Sequence, residues 1–277
     1  MSNFTDPTRL GISGKVLEAC CAQGRAAFVG YLPVGYPDVA KSYEAYRVLC
    51  EGADMVEIGM PYSDPFLDGP VIQHATTRAL ARGVRTRDAF TAAETVASCG
   101  RTPVVMTYWN LIEQYGPDVF ARDLAAAGGA GVITPDLTPD EADEWIAATD
   151  AYGLDRIFLI APSSTPERIA MTMAACRGWV YATSVMGVTG VRQGTSQAAP
   201  VIVARAREID PGLPVGVGLG VGNGDQAAEV GAYADAVIVG SALARCLASD
   251  GTDMPGDLER LGALSAELAD GVCRSLK

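Results

Sequence analysis

Short apolar runs bounded by Gly, Pro or Asp recur along the chain. They fall at residues 27–32 (AFVGYL), 55–59 (MVEIG), 104–109 (VVMTYW), 131–134 (GVIT), 156–161 (RIFLIA), 179–183 (WVYAT), 214–218 (PVGVG) and 236–239 (AVIV). Each is too short for a helix, and the unbroken apolar character fits strands buried on both faces. Between the runs the period lengthens. Residues 38–51 place Val39, Tyr43, Tyr46, Val48 and Leu49 at helical spacing. Residues 117–127 open with Pro and Asp in the first turn and stop at Gly128-Gly129, a start and end that suit a helix. Residues 139–151 begin with acids, which favour the positive end of a helix dipole. Residues 165–175 have Thr165 to cap the Arg168 amide and Pro166 in the first helical position, although Glu167 stands one place too early for a full capping box. Helical segments over 225–233 and 242–248 follow the last two runs.

Strand and helix therefore alternate eight times, which gives a parallel sheet with helical crossovers. Eight units in a chain of 277 residues favour closure over an open sheet. The expected fold is α/β, a single (β/α)8 TIM barrel over residues 1–277, and no linker or shift in composition marks a second domain. Two extensions exceed the minimal repeat, at 60–83 after the second run and at 184–199 after the sixth. Both follow strand C-termini, the face of a barrel where chemistry sits.

Composition narrows the function. Hydrophobic residues are 49% and charged residues 19%, with 31 Gly and 16 Pro, which excludes a disordered tail, a collagen or a coiled coil. The net charge of −12 argues against a nucleic-acid partner, because a phosphate backbone needs a basic footprint. It does not argue against one small phosphorylated ligand, which backbone N–H groups can hold. No long uncharged apolar stretch and no leader-like N-terminus is present, so the expected location is the cytoplasm, with no membrane partner. Seven cysteines without a CxxC pair read as reduced thiols. The single histidine, His74, lies in a helix-like stretch and reads as a surface residue. Lys15, Lys41 and Lys277 are the only lysines and none lies in a predicted strand, which argues against a Schiff-base aldolase.

What remains is a set of carboxyls. Glu57 stands in the second run, and Asp64 and Asp68 follow in PYSDPFLDGP, where Pro61, Pro65 and Pro70 stiffen the loop. Alternation puts Met55, Glu57 and Gly59 on one face and Val56 and Ile58 on the other. Both faces of a barrel strand are apolar, so either placement half-buries a carboxyl, which is then either held in a structural ion pair or, unpaired, raised in pKa and suited to proton transfer. Gly-rich loops follow the last strands, at 216–225 (GVGLGVGNGD) and 239–245 (VGSALAR), with a third at 186–196. Such loops at consecutive strand ends suit a phosphate. Tyr31, Tyr108 and Tyr181, at or near three strand ends, suit a flat aromatic substrate.

The segments GADMVEIGMPYSDPFLDGPVIQ (52–73), VVMTYWN (104–110), YATSVMGVTG (181–190) and VGSALAR (239–245) make the chain resemble the tryptophan synthase α subunits over essentially its full length. In look it is nearest to members from high-GC Gram-positive bacteria. The resemblance implies a carbon–carbon lyase of tryptophan biosynthesis. It would cleave indole-3-glycerol phosphate to indole and glyceraldehyde 3-phosphate without Schiff base, metal or cofactor of its own, and pass indole to a pyridoxal phosphate β subunit in an α2β2 complex. It also implies residue roles. Glu57 matches the proton-transferring glutamate, Asp68 the aspartate on the indole N–H, and Tyr181 the tyrosine beside the glutamate. Gly190, Gly220, Gly240 and Ser241 match phosphate positions. Tyr31, Tyr108 and Ile160 match the indole pocket, joined by Leu219 where many members have Phe. Thr189 matches a lid threonine, and Asp64 and Asn110 match positions facing the β subunit. On this match Glu57 faces the barrel interior. Val185 stands where some members have Arg, and Phe66-Leu67 replaces smaller residues in a partner-facing loop. A stand-alone lyase releasing free indole is the alternative with identical chemistry.

Overall fold

The eight apolar runs become nine strands, because the fifth is interrupted at Phe158. The computed structural model describes residues 7–183, 198–218 and 220–275. The strands are β1 (Ala27–Pro33), β2 (Met55–Gly59), β3 (Thr102–Met106), β4 (Gly131–Ile133), β5 (Asp155–Ile157), β6 (Leu159–Ile160), β7 (Val180–Thr183), β8 (Val215–Gly218) and β9 (Ala236–Val239). All pair in parallel in the order β5-β4-β3-β2-β1-β9-β8-β7-β6. At Phe158 the chain leaves β4 and turns to β7, with the Phe158 carbonyl accepting from the Tyr181 amide at 3.0 Å. The two ends of the strand order are thus successive pieces of one segment, and the sheet closes into the expected barrel.

Strand alternation sorts the core into two layers. Ala27, Val29, Met55, Val104, Ile157, Trp179 and Ala236 pack together inside the barrel, with Leu17 and Cys20 of the helix Ser13–Ala22 closing its floor. Val56 and Ile58 belong to the outer layer under the helices. The two-residue period then turns Glu57 inward with Met55.

Asp155 ties the floor in place. It is 0% exposed, and one carboxylate oxygen accepts from the Ile12 amide (2.9 Å), the Ser13 amide (2.6 Å) and the Ser13 hydroxyl (2.6 Å). Arg177 Nε lies 3.5 Å from the other oxygen. Burial pushes this carboxyl up, and its hydrogen bonds and Arg177 oppose that. Asp155→Ala would leave several buried donors without an acceptor. The expected loss is about 3 kcal/mol, or a Tm fall on the order of 10 °C, read by thermal unfolding.

The helices differ from expectation in detail. The third run stops as a strand at Met106, and Trp109 instead opens the helix Trp109–Tyr115. The Asp136 carboxylate accepts from the Trp109 amide at 2.9 and 3.2 Å, satisfying a donor that a helix start leaves unpaired. Residues 139–151 divide into a 3-10 turn, Pro139–Glu141, and the helix Asp143–Tyr152. The extension at 60–83 is irregular only at its start, because the helix Pro70–Ala81 fills most of the remainder. The second extension lies mostly outside the described residues, which resume in the helix Ala198–Ile209. Thr165 and Asp38 cap their helices by accepting from the Arg168 and Lys41 amides. Among the described residues no helix is long and apolar enough to cross a membrane.

Candidate active site

Glu57 lies two residues before the end of β2, in register with Tyr31 of β1 and Val104 of β3. It is 1% exposed, and its Oε2 has no hydrogen-bond partner among the described residues. Burial, and next the charge of Asp68, raise its pKa to about 8. Asp68 comes in from the loop between β2 and the helix Pro70–Ala81, and burial raises it to about 6. The mouth of the barrel therefore holds two carboxyls that feel each other and titrate on opposite sides of neutrality.

Two tyrosines share this field. Burial and then the Asp68 and Glu57 carboxylates push the Tyr31 phenol well above its ordinary value. Burial, Glu57 and Asp68 do the same for Tyr181. Both rings need glycine beside them. A Cβ on Gly59 would sit 2.3 Å from Tyr31 Oη, and one on Gly218 would sit 2.0 Å from Tyr181 Oη. The strand-end glycines thus give the phenols room to lie across the mouth.

Tyr108, the residue before the helix Trp109–Tyr115, is buried. Its hydroxyl accepts from the Leu67 amide at 3.3 Å. Its ring stacks on Tyr62 at 4.6 Å and tilts against Phe66 at 5.3 Å. It therefore touches the Asp68 loop as well as the carboxyl field, which raises its phenol further after burial. Ile160 is buried at the end of β6, and its carbonyl accepts from Thr183 Oγ1 at 3.2 Å.

Ser241 is buried and opens the short helix Ser241–Cys246 after β9. Gly240 before it runs close to Tyr31, where an added Cβ would lie 2.9 Å from the ring. Gly220 has φ +55° and precedes the helix Gly224–Gly231, whose Asn223 cap accepts from the Gln226 amide. Thr189, Gly190 and Leu219 lie outside the described residues, as does Val185. Asp64 and Asn110 are both exposed, and Asp64 accepts from the Ser63 hydroxyl at 2.6 Å. His74 is exposed, 3.4 Å from Asp250, and the carboxyl pair does not depend on it.

Sequence patterns did not point to Gln73, Tyr62 or Asp136. Gln73 Nε2 donates to the Asp68 carbonyl at 2.8 Å, Tyr62 stacks on Tyr108, and Asp136 holds the Trp109 amide. All three act through loop backbone or loop packing, where no periodicity exists to reveal them.

A family model described as tryptophan synthase alpha chain matches residues 17–272. A Mycobacterium ulcerans tryptophan synthase alpha chain is 60% identical over 260 residues, covering 94% of this chain and 94% of that one. The chain belongs to the tryptophan synthase alpha chain family. A relative from Acidothermus cellulolyticus is 58% identical over 262 residues, covering 94% of this chain and 97% of its own. The solved Mycobacterium tuberculosis tryptophan synthase has a chain at TM-score 0.89 and 55% identity, with 95% of this chain and 98% of that chain covered.

Tryptophan synthase alpha chains are carbon–carbon lyases that cleave indole-3-glycerol phosphate, and the match favours the synthase subunit over a free-standing lyase. Against the tryptophan synthase alpha chain pattern, the Phe66-Leu67 departure has structural content. Phe66 is 62% exposed yet leans on Tyr108, and the Leu67 amide is the donor to the Tyr108 hydroxyl.

Proposed function

We propose that Glu57 and Asp68 carry the cleavage of indole-3-glycerol phosphate as an acid–base residue and a charge stabiliser. The observation behind this reading is the split between the two carboxyls, about 8 for Glu57 and about 6 for Asp68. Near pH 7 the first is mostly protonated and the second mostly ionised. Carboxyls separated in this way take opposite roles.

The reaction needs that division. Neutral indole is a poor leaving group until its C3 is protonated. Glu57 donates that proton, and positive charge spreads to the ring nitrogen. The ionised Asp68 accepts the ring N–H and stabilises the charge. Glu57, now a carboxylate, takes the proton of the side-chain hydroxyl. The C–C bond breaks, its electrons return to the ring as indole, and the former carbinol becomes the aldehyde of glyceraldehyde 3-phosphate. The proton returned to Glu57 closes the cycle, and no step calls on a cofactor.

Tyr31, Tyr108, Ile160 and Leu219 form the indole pocket in this reading, and Tyr181 packs beside Glu57. Gly190, Gly220, Gly240 and Ser241 hold the phosphate in this reading, and Thr189 is the lid threonine that the family resemblance implies. Backbone amides at glycine-lined strand ends suit that task, since they bind an anion without Lys or Arg. Exposed Asp64 and Asn110 face a β subunit in an α2β2 complex, which receives the indole. The solved M. tuberculosis relative, a tryptophan synthase, supports that partner. Cytoplasmic location belongs to the same proposal, supported by seven free thiols that suit a reducing compartment.

The pH dependence tests the assignment. Activity requires ionised Asp68 and protonated Glu57. It rises with pH through about 6 and falls through about 8. The expected kcat/KM profile is a bell with its maximum near neutrality. A profile flat from pH 5 to 9 in a continuous assay of aldehyde product would sink the reading.

A further inference from the structure

The Asp68 carboxyl is half-buried, and it is borne by an irregular loop. Ionisation in place is disfavoured relative to water, as its upward shift shows, so an unrestrained loop would let the charged group swing out to solvent. The segment has no strand or helix of its own to resist this. Backbone hydrogen bonds around Asp68 supply the resistance. The Leu67 amide donates to Tyr108 Oη at 3.3 Å, the Asp68 amide donates to the Pro65 carbonyl at 3.1 Å, and the Asp68 carbonyl accepts from Gln73 Nε2 at 2.8 Å.

Of these, the Gln73 contact joins the loop to a fixed element. Gln73 is in the first turn of the helix Pro70–Ala81, whose Ile72, Ala75, Thr76 and Ala79 are buried. Helical side chains tilt toward the N-terminus, which is why a residue at this position reaches back to a carbonyl just ahead of the helix. The Gln73 amide also donates to the Gly69 carbonyl at 2.9 Å, so side chain and backbone of one residue grip successive carbonyls.

We propose that Gln73 is a positioning residue for the cleavage reaction, its side-chain amide holding the Asp68 backbone so that the carboxyl stays in the barrel mouth beside Glu57. The inference rests on the role assigned above to Asp68. Tyr108 serves as the second anchor through the Leu67 amide, in addition to its place in the pocket. The bond from the Gln73 side chain goes to the Asp68 carbonyl rather than to its carboxyl, so Gln73 acts through Asp68.

The test uses the full-length chain saturated with a tryptophan synthase β subunit and assayed on indole-3-glycerol phosphate. Gln73→Met keeps the length and removes the donor. Gln73→Leu likewise removes the donor without adding a charge, so it reports on the same contact if the Met variant folds poorly. Asp68→Asn runs beside them. Each Gln73 variant is expected to lower kcat/KM by about 10- to 100-fold, with kcat falling more than KM rises. The alkaline limb of the pH profile is expected to move to lower pH, because a receding Asp68 no longer holds the Glu57 proton on.

Parent-like rates and an unmoved limb in the Gln73 variants, with Asp68→Asn crippled, would overturn the positioning role and leave the Asp68 assignment standing. A lowered rate with an unmoved limb would also overturn it, since general loosening of the helix would do that much. Parent-like cleavage by Asp68→Asn would overturn the role of Asp68 and the inference with it.

Discussion

Glu57→Gln is expected to lower kcat for indole-3-glycerol phosphate cleavage by about 10²- to 10⁴-fold, with KM nearly unchanged. Glutamine fills the same buried space but can neither give up a proton to C3 nor take one from the hydroxyl. The same change is expected to help the fold at high pH. The Glu57 carboxyl titrates near 8 in the folded chain against an ordinary 4.5. Between those values the folded chain keeps a proton that the unfolded chain has lost, so stability falls as pH rises from 4.5 to 8. Glutamine removes that loss. The Tm of the variant, relative to the parent, should therefore climb from pH 5 to pH 9. A loss of activity accompanied by a lower Tm at pH 9 would mean that Glu57 is a structural residue.

Asp68→Asn is expected to lower kcat/KM by about 10²- to 10³-fold, the range for removing one stabiliser of developing charge. The asparagine carbonyl can still accept the indole N–H, so substrate binding should survive better than turnover. The shape of the pH profile should change on both sides. The rise through about 6 disappears, because the group that titrates there is gone. The fall near 8 moves to lower pH, because the repulsion that Asp68 adds to the burial of Glu57 is lost. A profile retaining both limbs would assign the acid limb to another group.

The barrel was legible because buried parallel strands write themselves as short apolar runs, and seven of the eight runs became single strands. The same property hid the direction of Glu57. Both sides of such a strand are apolar, so the strand pattern leaves the direction open; the family resemblance implies that the carboxyl points in, and alternation with Met55, which packs in the inner layer, places it there. The helices Ser13–Ala22, Thr86–Ser98 and Met254–Cys273 went unread. Thr86–Ser98 buries Ala89, Ala92 and Ala93 along with Phe90 and Val96, and alanine gives little contrast between an inner and an outer face. The end of β3 was misplaced because Tyr108 and Trp109 are as apolar as the strand before them. The Asp136 carboxylate that ends the ambiguity lies 27 residues away in sequence. Glu57, Asp68 and the tyrosines could be nominated from residue type and strand ends. The Gln73 and Tyr108 contacts to the loop could not, since they depend on backbone geometry that side-chain order does not encode.

The break at Phe158 has a bearing on how the chain behaves in company. An open sheet presents two outer strands whose unpaired N–H and C=O groups can template a foreign strand. Here the outermost positions in the strand order, Asp155–Ile157 and Leu159–Ile160, are consecutive in one segment, which pairs with β4 along its first part and with β7 along its second, while the Arg156 and Arg177 backbones exchange hydrogen bonds at 3.0 and 3.1 Å beside it. Backbone-mediated self-association therefore has little to grip on the barrel wall. The loops at the mouth can vary, as Phe66-Leu67 does, without uncovering an adhesive strand beneath them.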